Sequence, residues 1–436
     1  MRKLLLVALA LVLVLGFSLT PALLLAQEEL IIYHWWTAGG EREAINALFD
    51  LFKSKYPGIK IVDNPVPGGA GVTMKAVMKA LLLAGRPPDT FQVHAGAELK
   101  LYYDGGFLVP IDNIYEELGL GKVFPKTLLK LVKIGGHYYS IPLNIHRANW
   151  LWYNKHIFDE LGLKPPKTVD ELLEVCKVIK EKKPDVWPIA LGTRPKWPEA
   201  HLFEVLLLAV AGPDKYIKFF LGLLPPSDPA VVKTFEYLKK LIPYIYPYHG
   251  DLTWDEACGL LIEGKAAMNI MGDWALGYYL VRGWKPGVDF GAVAFPEGVF
   301  DLLSDSFGLP KGAPHPDATI KWLKLIASPE AQKKFNLIKG SIAARLDVPP
   351  TVYPDPIRRK SAEDLKTNII VPSCIHGAIA PDPFVSQFID TINRFLYSPD
   401  IKRAIHELDL AFKTFKVTEF HKGIALYDEY LKAVKA

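Results

Sequence analysis

The sequence predicts an α/β protein built from two domains. Three observations carry that expectation. The chain has 436 residues, long for one domain. Short runs rich in β-branched and aromatic residues alternate with amphipathic helical stretches. No Gly/Ser linker or internal repeat divides the chain, so the backbone is expected to cross between the domains more than once, as in a hinge.

The first elements follow in order. "LIIYHWW" (Leu30 to Trp36) reads as a strand. "EREAINALFDLFKSKYPG" reads as a helix with Ile45, Leu48, Phe49 and Phe52 on one face and a Pro-Gly stop. "IKIVDNPVP" is a second strand, "VTMKAVMKALLLAG" a second helix, and "PDTFQVHAG" a third strand running into a loop. Helices that connect strands in this way predict a parallel sheet, with ligands beyond the carboxyl ends of its strands. Trp35, Trp36, Gln92 and His94 all lie at such ends. A change of domain is expected near "YSIPLNIHRANWLWYNKHIF", and "DLLSDSFGLPKGAPHPDATIKWLKLIAS" reads later as strand, turn and helix.

The N-terminus departs from this pattern. Arg2 and Lys3 precede an apolar run from Leu4 to about Leu15, followed by Ser18, Thr20, Pro21 and small Ala26. Residues 1–26 are read as a secretory signal peptide, with a retained membrane anchor as the alternative. Cys176, Cys258 and Cys374 lie far from that boundary and from one another. They allow at most one disulfide and are read as buried apolar residues.

Composition and motif searches narrow the function. Lys plus Arg total 51 against 47 Asp plus Glu, a net charge of +4 with no basic stripe, so no nucleic-acid partner is expected. "PGGAGVTMK" lacks the order of a phosphate-binding loop, and no G-x-S-x-G elbow is present. "HAGAE" offers a His and a Glu four apart but no second His or cysteine cluster, so neither metal nor cofactor is expected. No motif fixes a pair of carboxylates at a catalytic spacing, which leaves a secreted glycosidase as the weaker alternative to a binding protein.

Candidate binding residues come from side-chain chemistry. Successive side chains of an extended segment face opposite ways, so Trp35 and Trp36 cannot both enter one core. One is expected under the following helix and the other on a ligand; Trp36 is favoured as the ligand wall. Glu41 suits a helix N-terminus after Gly39-Gly40 and also accepts hydroxyls. Gln92 and His94 alternate by two and share a strand face.

"WWTAGGE", "PDTFQVHAG", "YNKHIFDELGLKPPKTVDEL" and "EGKAAMNIMGDWA" (Glu263 to Ala275) resemble, in order and over nearly the whole mature chain, the family 1 extracellular solute-binding proteins of sugar ABC transporters, and more narrowly their glucose-binding members. The resemblance implies a two-lobed periplasmic-binding-protein-like fold of type II, with a ligand cleft between lobes joined by hinge strands. Residues 27–142 and 301–346 are then expected to form the N-terminal lobe, and 143–300 and 347–436 the C-terminal lobe. It also supports Trp274 as a second aromatic wall and Asp305, Lys339 and His376 as polar contacts. Taken by themselves, these four fit a core indole, a turn-capping Asp and two residues beside glycines.

The expected ligand set is therefore Trp35, Trp36, Glu41, Gln92, His94, Trp274, Asp305, Lys339 and His376. Charged and imidazole groups converging from five segments leave little room for a long sugar, so a monosaccharide is expected, glucose before galactose. The expected partners are that sugar and the membrane permease of an ABC importer, reached by a secreted or surface-held monomer. An oligosaccharide or other polyol is the alternative ligand.

Overall fold

The computed structural model describes residues 28–194 and 196–435; the expected signal peptide lies outside the described residues. The first sheet has the strand order Lys60–Pro65, Glu29–His34, Thr90–His94, Asp305–Pro310, Leu108–Val109, with Ser140–Pro142 also on Asp305–Pro310. Its first three strands are parallel, as the alternation of strand and helix predicts. Asp305–Pro310 runs antiparallel to Thr90–His94 and Ser140–Pro142. The helix Gly39–Lys55 buries Ile45, Leu48, Phe49 and Phe52, the face predicted from their spacing. Phe49, Phe52 and Phe307 converge on Trp322 with ring centroids 5.7–5.9 Å away.

A second sheet has the order Trp187–Ile189, Ala266–Ile270, Trp150–Asn154, Phe290–Ala294. A third has the order Ile342–Ala343, Asn144–Arg147, Val299–Leu303, Ile369–Pro372. Two long segments tie the three sheets together. Residues 140–154 and 290–310 run antiparallel through all of them, with Ile141 opposite Phe307, Arg147 opposite Leu302 and Trp152 opposite Ala292. This paired ribbon joins the two lobes.

The single strand expected in "DLLSDSFGLP" is two strands, Val299–Leu303 and Asp305–Pro310, in different sheets. The break has a polar cause. Ser304 Oγ donates to the Asn144 carbonyl at 2.6 Å, and the Asp305 N–H donates to Asn144 Oδ1 at 2.8 Å. Both strands of the ribbon therefore change sheet together, at Leu143 and Ser304. Cys176, Cys258 and Cys374 are buried free thiols. No described helix is long and apolar enough to cross a membrane.

Arg147 anchors the ribbon from within. Its side chain is fully buried; Nη1 donates to Asp364 at 2.6 Å, Nη2 to the Val299 carbonyl at 2.7 Å and Nε to Asn149 Oδ1 at 3.1 Å. Removing one partner of a buried pair leaves an uncompensated charge. Asp364→Ala is expected to destabilise the protein by about 3 kcal/mol, measured by urea unfolding. A loss under about 0.5 kcal/mol, the range of an ordinary surface change, would mean that the ribbon does not depend on this pair.

Candidate functional site

At the carboxyl ends of Glu29–His34 and Thr90–His94 the chain forms a tight cavity. It is lined by Trp35, Trp36, Glu41, Gly69, Ala70, His94, His146, Trp197, Trp254, Trp274, Leu303, Asp305, Lys339 and His376. Eight of the nine residues expected from the sequence meet there, drawn from both sides of the ribbon.

Asp305 begins its strand and is nearly inaccessible. Its carboxylate accepts from Gln92 Nε2 at 2.8 Å and Asn144 Nδ2 at 2.7 Å, and His146 Nε2 lies 3.1 Å away. Burial opposes its ionisation, but the hydrogen bond and charge of His146, with the charges of His94 and Lys339, hold the carboxyl well below the usual carboxylate range. His146 lies between two carboxylates, since its Nδ1 is hydrogen-bonded to Asp273. Burial lowers the affinity of His146 for a proton and Asp273 raises it. The carboxylates prevail, so its pKa stands above the ordinary value.

Opposite this chain, Lys339 Nζ donates to Glu41 Oε1 at 2.8 Å and sits 5.9 Å from the Trp274 ring centre. Burial pushes the Glu41 carboxyl up despite Lys339. Glu41 lies in the first turn of its helix, where the helix dipole favours a negative charge. His94 Nδ1 is 2.7 Å from Glu98, which also pairs with Lys75 at 3.1 Å. The His/Glu spacing of "HAGAE" thus forms an internal hydrogen bond between a strand end and the first turn of the next helix.

His376 closes another side of the cavity, with ring centroids 4.9 Å from Trp274, 5.4 Å from Trp197 and 6.0 Å from His94. Its loop rests backbone to backbone on Gly96, where a Cβ would stand 2.3 Å from the Ala378 carbonyl. Burial, then the neighbouring His201, keep His376 neutral, with its pKa well below the ordinary value.

Two expectations need correction. Gln92 does not line the cavity. Its Oε1 accepts the Trp35 N–H at 3.0 Å while its Nε2 holds Asp305, so it fixes two wall residues from behind. The paired tryptophans also do not divide between core and ligand as expected, because both line the cavity. Trp36 is fully buried and also packs against Phe335 and Phe307, with centroids 4.9 and 5.9 Å away. Trp35 lies 4.8 Å from the His94 ring and under Gly71. The strand ends at His34, whose Nδ1 accepts the Trp36 N–H at 3.1 Å, so strict alternation stops before the pair.

Sequence reasoning missed His146, Trp197, Trp254, Gly69, Ala70 and Leu303. His146 had a signal, because Asn144 and His146 alternate by two in "NIHR", the pattern that singled out Gln92 and His94. Trp197 and Trp254 begin helices and reach the cavity only through the fold.

Two α/β lobes joined by a paired ribbon and closed on a small ionic and aromatic cavity define a ligand-capturing protein of the periplasmic-binding type. The model of the bacterial extracellular solute-binding protein family matches residues 38–333, and the chain belongs to that family, one of receptors and not of enzymes. It is 47% identical over 402 residues to an ABC transporter extracellular-binding protein of Pyrococcus horikoshii, covering 90% of each chain. It is 33% identical over 400 residues to a probable sugar-binding periplasmic protein of Brucella melitensis, covering 89% of this chain and 93% of the relative. A glucose-binding protein of Saccharolobus solfataricus is 27% identical over 304 residues, 65% of this chain and 54% of that one. Among solved structures, the bacterial solute receptor AcbH, described as exclusive for β-D-galactopyranose, matches with a TM-score of 0.79 and 21% identity over 89% of this chain and 99% of its own. At that identity the likeness is one of fold.

The charge on His146 sets a pH dependence. Because its pKa is raised on folding, its contribution to stability is complete below the ordinary value of about 6.5 and is lost as pH rises through the folded value. The melting temperature of the wild type is expected to fall more steeply above about pH 7 than that of His146→Gln, which has no proton to lose. Parallel curves across that range would show that His146 carries no such charge.

Proposed function

We propose that this protein is the sugar receptor of an ABC importer, that it captures a monosaccharide, glucose or galactose, by closing its lobes, and that it presents the closed form to a membrane permease. The observation that carries the reading is the cavity wall itself. Five indoles surround a space that also holds an ionised aspartate, a Glu–Lys pair and three histidines. A sugar ring has apolar C–H faces and a rim of hydroxyls, and this lining supplies a partner for each. The names of the relatives from Brucella melitensis and Saccharolobus solfataricus support the same reading.

Trp35, Trp36 and Trp274 are the proposed aromatic walls. Asp305, Glu41, Lys339, His94 and His376 are the proposed polar contacts, with His146 added and Gln92 as a positioning residue. The proposed lobe boundaries fall near residues 142, 300 and 346. The proposed receptor acts as a monomer outside the cytoplasmic membrane, tethered to it if the N-terminal segment is retained.

Closure supplies the mechanism. Contacts made only in the closed form shift the lobes towards it, and the permease reads that form. Micromolar affinity requires about 8 kcal/mol, which stacking and charge-assisted hydrogen bonds supply after ordering costs. A thermal-shift panel of glucose, galactose, xylose, maltose and maltotriose, on protein lacking residues 1–26, tests the reading. Glucose or galactose is expected to raise the melting temperature most, and the sugar is expected to be recovered unchanged. Stronger stabilisation by maltose or maltotriose would contradict the monosaccharide assignment.

A further inference from the structure

A groove lies beside the cavity, between the helices Val72–Leu83 and Asp382–Tyr397. Its walls include exposed Val72 and Lys79, whereas the side chains that line the cavity are mostly buried. The two spaces share only Ala70 and Trp197 among their lining residues. The partition between an enclosed site and an open groove is therefore one loop and one indole.

The loop is held under strain. Gly68, Gly69, Ala70 and Gly71 have φ of 133°, 32°, 47° and 70°; Ala70 is a residue with a Cβ in the left-handed region, where such strain persists only if the surroundings enforce it. They do so here. A Cβ on Gly69 would stand 3.0 Å from Trp197 Nε1 and 3.3 Å from Trp254, and one on Gly71 would stand 3.0 Å from Trp35. The loop thus threads between an indole of the first lobe and two on the far side of the cleft. Trp197 is 2% exposed, and its indole N–H has no hydrogen-bond partner among the described residues, so a buried donor borders the cavity with its bonding capacity unmet.

We propose that Trp197 and the loop 68–71 are the wall that sets ligand length. They close the cavity after one sugar ring, and the indole N–H donates to a hydroxyl of that ring. The groove beyond would carry the next ring of a longer sugar if the wall were removed. Its lining suits that role: Ser386 offers a hydroxyl, Lys79 a donor, the Lys75–Asp382 ion pair charged partners, and Ile389 an apolar surface. The inference rests on the reading of the protein as a sugar receptor and adds the residue that decides between one ring and two.

Calorimetry on the wild type, Trp197→Ala and Trp197→Leu, each titrated with glucose, galactose, maltose and lactose, tests it. The Leu variant keeps apolar bulk at the helix start, so the same ratio can be read if the Ala variant fails to fold. The wild type is expected to prefer a monosaccharide over the matching disaccharide by about tenfold or more. In the variants monosaccharide affinity is expected to fall, while the disaccharide-to-monosaccharide affinity ratio rises by about tenfold. An unchanged ratio in the folded variants overturns the wall. A wild type that already prefers disaccharides overturns it as well. A wild type that binds none of the four sugars overturns the receptor reading on which it rests.

Discussion

A carboxylate charge buried between two lobes governs this structure. Taking an isolated carboxylate out of water costs several kcal/mol, and only well-placed donors offset that cost. Asp305 has three side-chain donors, Gln92, Asn144 and His146, each worth about 1.5–3 kcal/mol to a charged group. The donors come from different places: Gln92 from a first-sheet strand, Asn144 and His146 from the ribbon. His146 in turn needs Asp273, which precedes the Trp274 helix and accepts the Arg147 N–H at 3.0 Å. The charge therefore ties the position of one lobe to that of the other.

The closeness of the lobes has a second requirement, which is small residues. The Trp274 helix meets the first lobe at Gly277, where a Cβ would stand 2.6 Å from the Lys339 carbonyl and 2.9 Å from that of Ile338. That contact sets Trp274 beside Lys339, and Lys339 beside Glu41. A methyl group there would hold the aromatic wall away from the ion pair. Packing and electrostatics thus agree on the arrangement described, and the proposed ligand contacts are those it brings into one volume.

Much of this was legible in the sequence because it is local. The parallel strands, the helix over residues 39–55 and the position of Glu41 in its first turn follow from period and from the Gly-Gly before it. Trp274, Lys339 and His376 carry weak local signals, a motif end and neighbouring glycines, and they became candidates through resemblance to a family. The expected division between Trp35 and Trp36 fails, since both line the cavity: alternation holds within a strand, and the strand ends at His34. Gln92 was misread because strand alternation gives the face of a side chain and not its depth. Trp197, Trp254 and the loop 68–71 left no trace in periodicity. They meet the site only through the packing of segments distant in the chain, which no local pattern encodes.

Small-angle scattering of protein lacking residues 1–26, with and without saturating glucose or galactose, tests lobe closure on a sugar most directly. The account predicts a smaller radius of gyration with sugar in the wild type, and little change in a folded Gly277→Val variant, whose side chain obstructs the approach of the Trp274 helix to Lys339. A wild type that binds the sugar, shown by calorimetry on the same sample, with an unchanged radius of gyration would contradict it.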